Sequence, residues 1–282
     1  MVMHKLVGLI GYPLGHTVSP AMHNTAFTHL GIDYEYVPFE IESRDLSDGV
    51  NGLRALHVAG FNVTVPYKEK VIPLLDEVTE LARIIGAVNT VLNQDGKLIG
   101  YNTDGAGFIE SLKEDAKTDP KDKNVVVLGA GGASRAICVL LAENKVKSLT
   151  IVDLEEEKSA DLAAYVNSYF GTKCSAVSVT SPDLQKAIKK ADVLINCTPI
   201  GMRPKMDQSP LPKNTKLSAK LLVYDLVYNP QETKLLKEAE AAGCKTCSGL
   251  GMLVRQGALA FTIWTGEEAP VDIMSKAAEQ AL

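Results

Sequence analysis

The stretch Asn124-Val-Val-Val-Leu-Gly-Ala-Gly-Gly-Ala-Ser134 decides the fold. Val125 to Leu128 is a short β-branched, apolar run, the mark of a strand buried on both faces. Gly129-Ala-Gly-Gly132 follows at once, and Ala136-Ile-Cys-Val-Leu-Leu-Ala142 continues as an apolar helix. Strand, glycine turn and helix together make a dinucleotide-binding fingerprint, because small residues let the backbone approach a pyrophosphate. The helix N-terminus adds free N–H groups and a partial positive charge. The fingerprint normally ends in Gly or Ala, and Ser134 stands there instead. A second strand, Ser148-Leu-Thr-Ile-Val-Asp153, ends in an acid about two dozen residues after Gly129, where a ribose-binding carboxylate is expected. Without that acid, a tight structural turn would explain the glycines equally well.

Working outward, the chain of 282 residues is long enough for two ordinary domains. Its formal net charge of −5 gives no basic footprint for nucleic acid. The opening Met1-Val-Met-His-Lys-Leu-Val-Gly8 does not read as a signal peptide, since no basic segment leads into a long apolar run. No apolar stretch is long enough to span a bilayer, so no membrane role is expected. Five scattered cysteines, an odd count, favour reduced thiols in the cytoplasm. Cys244-Lys-Thr-Cys247 has a redox or zinc spacing but no second pair or nearby His, so strand cysteines are the plainer reading and no metal is expected.

Upstream of the fingerprint, strands alternate with helices. Leu6 to Ile10 reads as a buried strand, then Ser19 as the N-cap and Pro20 as the first residue of a helix. Ile32 to Ile41 alternates as a strand, and Ser43 is expected to cap a helix running to about His57. Gly60 to Val65 is a strand ended by Pro66. Residues 67–85 read as one or two helices broken near Pro73 and Asp76, with Lys68 at the start of the first. Asn93-Gln-Asp-Gly96 between apolar runs predicts a hairpin. Residues 104–114 read as a helix leading out of this first α/β unit. Downstream, strands at Asp192 to Cys197 and Leu221 to Val227 run into the loops Thr198-Pro-Ile-Gly-Met202 and Tyr228-Asn-Pro230. Open α/β sheets bind ligands at such carboxyl ends. The expected division is a dinucleotide-binding domain over 104–249 and a substrate domain formed by 1–103 with 250–282.

Polar residues stand where apolar strands end. Asn62 and Thr64, two apart, share a face, and Lys68 follows closely. Asn89, Asn102 and Asp104 repeat the pattern. Taken singly, each fits a solvated first-turn lysine or a structural polar group whose hydrogen bonds are satisfied.

Together the motifs say more. Gly15-His-Thr-Val-Ser-Pro-Ala-Met-His-Asn24, Asn62-Val-Thr-Val-Pro-Tyr-Lys68, Gly86-Ala-Val-Asn-Thr90, Asn102-Thr-Asp104, Gly129-Ala-Gly-Gly-Ala133, Asn196-Cys-Thr-Pro-Ile-Gly-Met202 and Gly249-Leu-Gly-Met-Leu-Val-Arg-Gln256 occur in that order, within a match that runs from residue 6 to about residue 275. The set resembles the shikimate/quinate dehydrogenase family. That resemblance implies two α/β domains, one of Rossmann type, with a cleft between them. It implies reversible hydride transfer between a ring carbinol and a nicotinamide, on shikimate with quinate as a candidate second substrate, by a monomer or homodimer.

Position by position, the resemblance makes Lys68 and Asp104 the catalytic pair. Thr17, Ser19, Thr64, Asn89, Tyr228 and Gln256 would hold the substrate. Gly129, Ala130, Gly131, Gly132, Ala133, Asp153, Thr198, Met202, Leu226 and Gly249 would hold the cofactor. Oxidising a secondary alcohol needs a proton acceptor as the hydride leaves. An ammonium is not a base, so Lys68 must act through its neutral form or relay a proton, with Asp104 orienting the hydroxyl. The residues alone leave open which of the two takes the proton. Thr17 falls where many members have Ser, and no arginine stands in these motifs to clamp a carboxylate. Many members follow the second strand with an Asn-Arg pair that grips a 2′-phosphate. Here the segment is Val152-Asp-Leu-Glu-Glu-Glu157, so NAD is the expected cofactor and NADP the alternative. Other readings are a dehydrogenase for a different hydroxy acid or a folate, and a metabolite sensor that has lost turnover.

Overall fold

A computed structural model describes residues 4–15 and 17–282; Met1 to Met3 and His16 lie outside the described residues. Contacts divide the chain into two compact units, Met1–Gly107 with Val254–Leu282, and Phe108–Leu253. The division falls inside two helices, a few residues away from the limits expected at 103/104 and 249/250.

In the first unit the elements are β1 (Lys5–Gly11), α1 (Ser19–Leu30), β2 (Tyr34–Glu40), α2 (Leu46–Ala55), β3 (Gly60–Val63), β4 (Glu77–Val78), α3 (Glu80–Ile85), β5 (Thr90–Gln94) and β6 (Lys97–Tyr101). Helix α4 (Asp104–Glu114) then leads into the second unit. The sheet order is β2-β1-β3-β5-β6-β4. Strand β1 runs parallel to β2 and β3, whereas β5 is antiparallel to β3 and β6. The Asp95-Gly96 hairpin between β5 and β6 forms as expected, with both residues at positive φ. Ile10, Phe61, Tyr67, Val88 and Leu98 are in the core of this unit.

The second unit continues with β7 (Asn124–Leu128), α5 (Gly132–Glu143), β8 (Ser148–Asp153), α6 (Glu156–Phe170), β9 (Cys174–Ser178), α7 (Asp183–Lys190), β10 (Val193–Asn196), β11 (Leu222–Asp225), α8 (Lys234–Ala241) and β12 (Lys245–Ser248). All neighbours in its sheet are parallel, in the order β12-β11-β10-β7-β8-β9. This is the doubly wound order, with its switch point between β7 and β10. Helix α9 (Leu250–Thr265) returns the chain to the first unit, where α10 (Val271–Gln280) packs on α1. No described helix is long and apolar enough to cross a membrane.

Three local expectations are corrected. Ser19 is the first residue of α1 and not its cap. Val18 holds the N-cap position, and its carbonyl takes the Met22 N–H that a Ser19 cap would have used. The Thr17 hydroxyl instead accepts the Ser19 N–H at 3.2 Å. Ser43 begins a short 3-10 turn, Ser43–Asp45, ahead of α2. Residues 67–85 are not one or two continuous helices: Lys68 sits in a turn, a 3-10 piece covers Ile72–Leu74, and α3 starts late, capped by Thr79. Long-range bonds override the local helical pattern here. Val88 N–H takes the Lys68 carbonyl at 2.7 Å, and Asp76 pairs with Leu98 in both backbone and side chain, drawing the segment into β4 beside β6.

Candidate active site

The turn after β3 and the start of α4 bring Lys68 and Asp104 together, with Lys68 Nζ donating to Asp104 Oδ2 at 2.6 Å. The side chains are 19% and 8% exposed, so a mostly buried ion pair stands at a place water can reach. Asn102 sets the start of α4 by accepting the Asp104 N–H at 3.1 Å while donating to the Ala87 carbonyl at 3.0 Å. Asn89 donates to the other Asp104 oxygen, Oδ1, at 2.9 Å, and to Gln256 Oε1 at 3.3 Å. Gln256 is on α9, which contributes to this unit from far along the chain. Four of the expected residues, Lys68, Asp104, Asn89 and Gln256, thus form one hydrogen-bonded cluster.

Ser19 and Thr17 form a second group, joined by the Ser19 N–H bond. The buried Tyr36 phenol, bonded to the Ser19 hydroxyl, connects that group to Asn62 at 2.9 Å. Burial pushes the Tyr36 phenol above its ordinary range, so it stays protonated and donates. Thr64 is half-buried just past β3, its methyl lying beside Gly11. Tyr228 is in the loop after β11 in the second unit, and burial raises its phenol as well. Tyr36, Thr90 and Thr103 are absent from the sequence-based assignment. A polar residue on an otherwise apolar strand is the signal that could have found them, as it found Asn62 and Asn89.

In the second unit the expected cofactor residues gather at the carboxyl ends of β7, β8, β10, β11 and β12. Gly129 has φ of +100°, and a Cβ there would press on Thr198 and Cys197 within 3.1–3.3 Å. Gly131 is the N-cap of α5, and a Cβ on it would meet nothing within 4 Å. Gly132 and Ala133 begin α5, whose N-terminus opens onto that space. Ser134 is fully buried, so the final fingerprint position tolerates serine. Asp153 accepts the Ala130 N–H at 2.7 Å and the Glu155 N–H at 2.9 Å, tying the glycine loop to the end of β8. Glu155 also holds Lys158 at 2.6 Å.

Thr198 bonds back to Asn196, and Asn196 donates to the buried Asp225 at 2.8 Å. Asp225 also accepts from Thr233 at 2.6 Å, so it fastens the loop after β10 to the loop after β11. Burial raises its carboxyl while these donors oppose the rise. Met202 is 44% exposed on the first of those loops. A Cβ on Gly249 would fall on the Leu226 carbonyl, so only glycine allows these two backbones to abut. The open space over Gly131, the helix N-terminus and the Asp153 carboxylate fit a dinucleotide. Cys244 and Cys247 are free thiols bonded to the Ser218 and Ser248 carbonyls. Among the described residues no group of three or more His, Cys, Asp or Glu could hold a metal.

A doubly wound dinucleotide sheet in one unit and a lysine–aspartate pair among substrate-sized polar groups in the other define a nicotinamide-dependent oxidoreductase. Comparison narrows the class. Residues 9–91 match the shikimate dehydrogenase substrate binding domain, residues 111–228 the shikimate / quinate 5-dehydrogenase model, and residues 249–279 the shikimate 5'-dehydrogenase C-terminal domain. A shikimate dehydrogenase (NADP(+)) from Alkaliphilus metalliredigens is 46% identical, covering 96% of this chain and 95% of its own. Shikimate 5-dehydrogenase from Listeria monocytogenes, solved with shikimate and NAD, is 39% identical with a TM-score of 0.91, covering 98% of this chain and 96% of its own. Shikimate 5-dehydrogenase from Thermus thermophilus, solved with NADP(H) and shikimate, is 37% identical with a TM-score of 0.88, covering 99% of this chain and 100% of its own. The chain belongs to the shikimate/quinate 5-dehydrogenase family and is an oxidoreductase of that family's two-domain α/β fold.

Proposed function

We propose that this chain oxidises the ring carbinol of shikimate to the ketone, reversibly, with Lys68 and Asp104 as its catalytic pair and NAD as its preferred dinucleotide. The observation that carries the reading is the Lys68–Asp104 contact at 2.6 Å, with the second carboxylate oxygen held by Asn89. A carboxylate has about four acceptor positions. Two are engaged by these donors, so Asp104 retains acceptors for a substrate hydroxyl. A nicotinamide bound there would supply the acceptor for the hydride of the carbinol carbon. Lys68 takes the hydroxyl proton through its neutral form, or in reduction delivers one from its ammonium to the developing alkoxide. Asp104 orients both partners.

Asn89, Gln256 and Thr64 hold the ring hydroxyls in this reading. Thr17, Ser19 and Tyr228 supply hydroxyl donors to the carboxylate. Gly129 to Ala133 and the α5 N-terminus hold the pyrophosphate, Asp153 the ribose, and Thr198, Met202, Leu226 and Gly249 the nicotinamide side. Five free cysteines fit a reducing compartment, the cytoplasm. The names of curated relatives point to NADP+. The NAD preference rests instead on Asp153 and the absence of arginine from residues 152–157 of this chain.

The test is direct. Purified protein with shikimate and either oxidised dinucleotide should generate the absorbance of the reduced nicotinamide. Absence of turnover with both would refute the enzyme reading and favour a sensor. Repeating the assay with quinate measures the second substrate.

A further inference from the structure

A line of buried side chains crosses the first unit's sheet, and chemistry fixes the direction of its amide hydrogen bonds. Backbone N–H groups only donate and backbone carbonyls only accept. Asn89 Oδ1 faces the Thr103 N–H at 2.7 Å, so the Asn89 amide nitrogen is the atom facing Asp104 Oδ1 at 2.9 Å. Asn62 Nδ2 faces the Asn89 carbonyl at 3.2 Å, which turns Asn62 Oδ1 toward Tyr36. The phenol must therefore donate to Asn62 at 2.9 Å. The Asn62 amide also donates to Thr90 Oγ1 at 3.0 Å, leaving the Thr90 proton for Asn89 Oδ1 at 3.1 Å or Thr103 Oγ1 at 3.3 Å. The bonds from Tyr36 through Asn62, Thr90 and Asn89 thus make a continuous path that ends at Asp104, with Thr103 Oγ1 beside it taking a further bond from the Asn89 amide at 2.9 Å.

The placement follows from the strands. Asn62 and Thr90 are register partners on antiparallel β3 and β5, and Tyr36 reaches Asn62 from β2 across β1. All five side chains are buried, so no water competes for these bonds. The Ser19 hydroxyl, at the segment assigned to the substrate carboxylate, bonds to the same phenol.

We propose that Thr90 and Asn62, with Tyr36 behind them, are positioning residues for the reaction: they fix the Asn89 amide and through it the orientation of the Asp104 carboxylate toward Lys68 and the substrate hydroxyl. The proposal rests on the reading of Lys68 and Asp104 as the catalytic pair. It links the two ends of the substrate site through a continuous chain that itself touches no reacting atom.

Thr90→Val keeps the shape of the residue and removes the hydroxyl joining Asn62 to Asn89. Thr90→Ser keeps the hydroxyl and removes the methyl. Both full-length variants are assayed for shikimate oxidation across pH, alongside Lys68→Ala, with melting temperature and dinucleotide affinity as controls. Thr90→Val is expected to lower kcat roughly 10- to 100-fold, the scale of a small misplacement of a catalytic group. Its pH profile should shift, with dinucleotide affinity unchanged. Thr90→Ser should recover kcat to within about threefold of wild type. A merely structural Thr90 would lower the melting temperature and leave kcat and the pH profile of the folded enzyme alone. That result overturns the proposal, as does a Thr90→Ser variant no better than Thr90→Val. If Thr90→Val does not fold, Tyr36→Phe breaks the chain one link back and faces the same criteria. Loss of turnover in Lys68→Ala together with normal Thr90→Val removes the chain but keeps the catalytic pair. Normal turnover in Lys68→Ala removes the reading beneath both.

Discussion

His23 lies flat against Tyr36, their ring centroids 4.5 Å apart and their planes within 3°, and neither His23 nitrogen has a hydrogen-bond partner. The other rings around it are Phe27, Phe261 and Trp264, none of them charged. A polar ring in that setting is a cost to the fold, accepted directly behind the residue that leads to Asn62 and Asp104. Burial pushes the His23 imidazole down to about 3 from its ordinary 6.5. Below the ordinary value the unfolded chain binds a proton that the folded chain does not. Stability is thus unaffected by this group above about pH 6.5 and declines as pH falls toward 3. The loss by pH 5 is about 2 kcal/mol. The unfolding free energies from urea titrations at pH 7 and pH 5 should differ more for wild type than for His23→Leu, by about that amount. Equal pH dependence in the two proteins would move the acid sensitivity to another group.

The Lys68–Asp104 pair should be indispensable to turnover and dispensable to folding. Lys68→Ala removes proton transfer together with a substrate hydrogen bond, worth roughly 3–6 kcal/mol of barrier. Asp104→Asn should do comparable damage, since an amide cannot accept at both positions that Lys68 and Asn89 now use. The double variant should be little worse than either single one if the two act as a unit. Dinucleotide binding, followed by quenching of protein fluorescence, should be unchanged in all three. Additive losses would mean independent roles.

Much of this architecture was legible because the second unit's rules are local. A β-branched run, a glycine turn and an apolar helix recur within about thirty residues, and a parallel sheet follows from that alternation. The region from Tyr67 to Thr79 was not legible, because its path is set by partners distant in sequence. Tyr67 bonds to the Ile41 carbonyl, and Asp76 to Leu98 and Arg54. Lys68 could therefore be named from its motif while its turn was mistaken for a helix. Tyr36 fared similarly: its role depends on crossing β1 to reach Asn62, and strand alternation alone says nothing about which phenol finds which amide. The Ser-Pro order and the helical spacing after it make Ser19 a cap, whereas Thr17 and Val18 carry out that function and leave its hydroxyl for Tyr36.

The proposed role of Thr17 makes it a test of substrate preference. Its hydroxyl already accepts the Ser19 N–H, so Thr17→Ser keeps this turn and removes only a methyl. Quinate carries a further hydroxyl near the carboxylate, the end of the substrate that Thr17 is proposed to face. Removing the methyl changes the shape of the wall at that end and should change the quinate-to-shikimate ratio of kcat/KM. One buried methyl is worth about 0.8 kcal/mol, or roughly a fourfold change. An unchanged ratio would show that Thr17 is not a selector.

In the proposed reading, cofactor choice turns on the end of β8. Asp153 is fixed there by the Ala130 and Glu155 N–H groups, so its carboxylate cannot swing aside without loosening the glycine loop. A carboxylate in that position accepts from ribose hydroxyls and repels a 2′-phosphate. One like-charge contact at ~4 Å and an effective dielectric of ~20 costs about 4 kcal/mol. The partial exposure of Asp153 and salt screening reduce this to roughly 2 kcal/mol, still more than tenfold in affinity. Lys158 is the cation in the segment best placed in sequence to compensate, but it is paired with Glu155 at 2.6 Å. Leu154, 81% exposed beside Asp153, adds no donor. Wild-type kcat/KM should therefore favour NAD over NADP by at least about tenfold, and more at low salt. Asp153→Ala should narrow the gap mainly by improving KM for NADP. Glu155→Gln, which releases Lys158, should narrow it further. A wild-type enzyme equally good with NADP would show that the relatives' preference holds in this chain despite Asp153. An Asp153→Ala variant with undiminished discrimination would place the selection elsewhere in the nucleotide site.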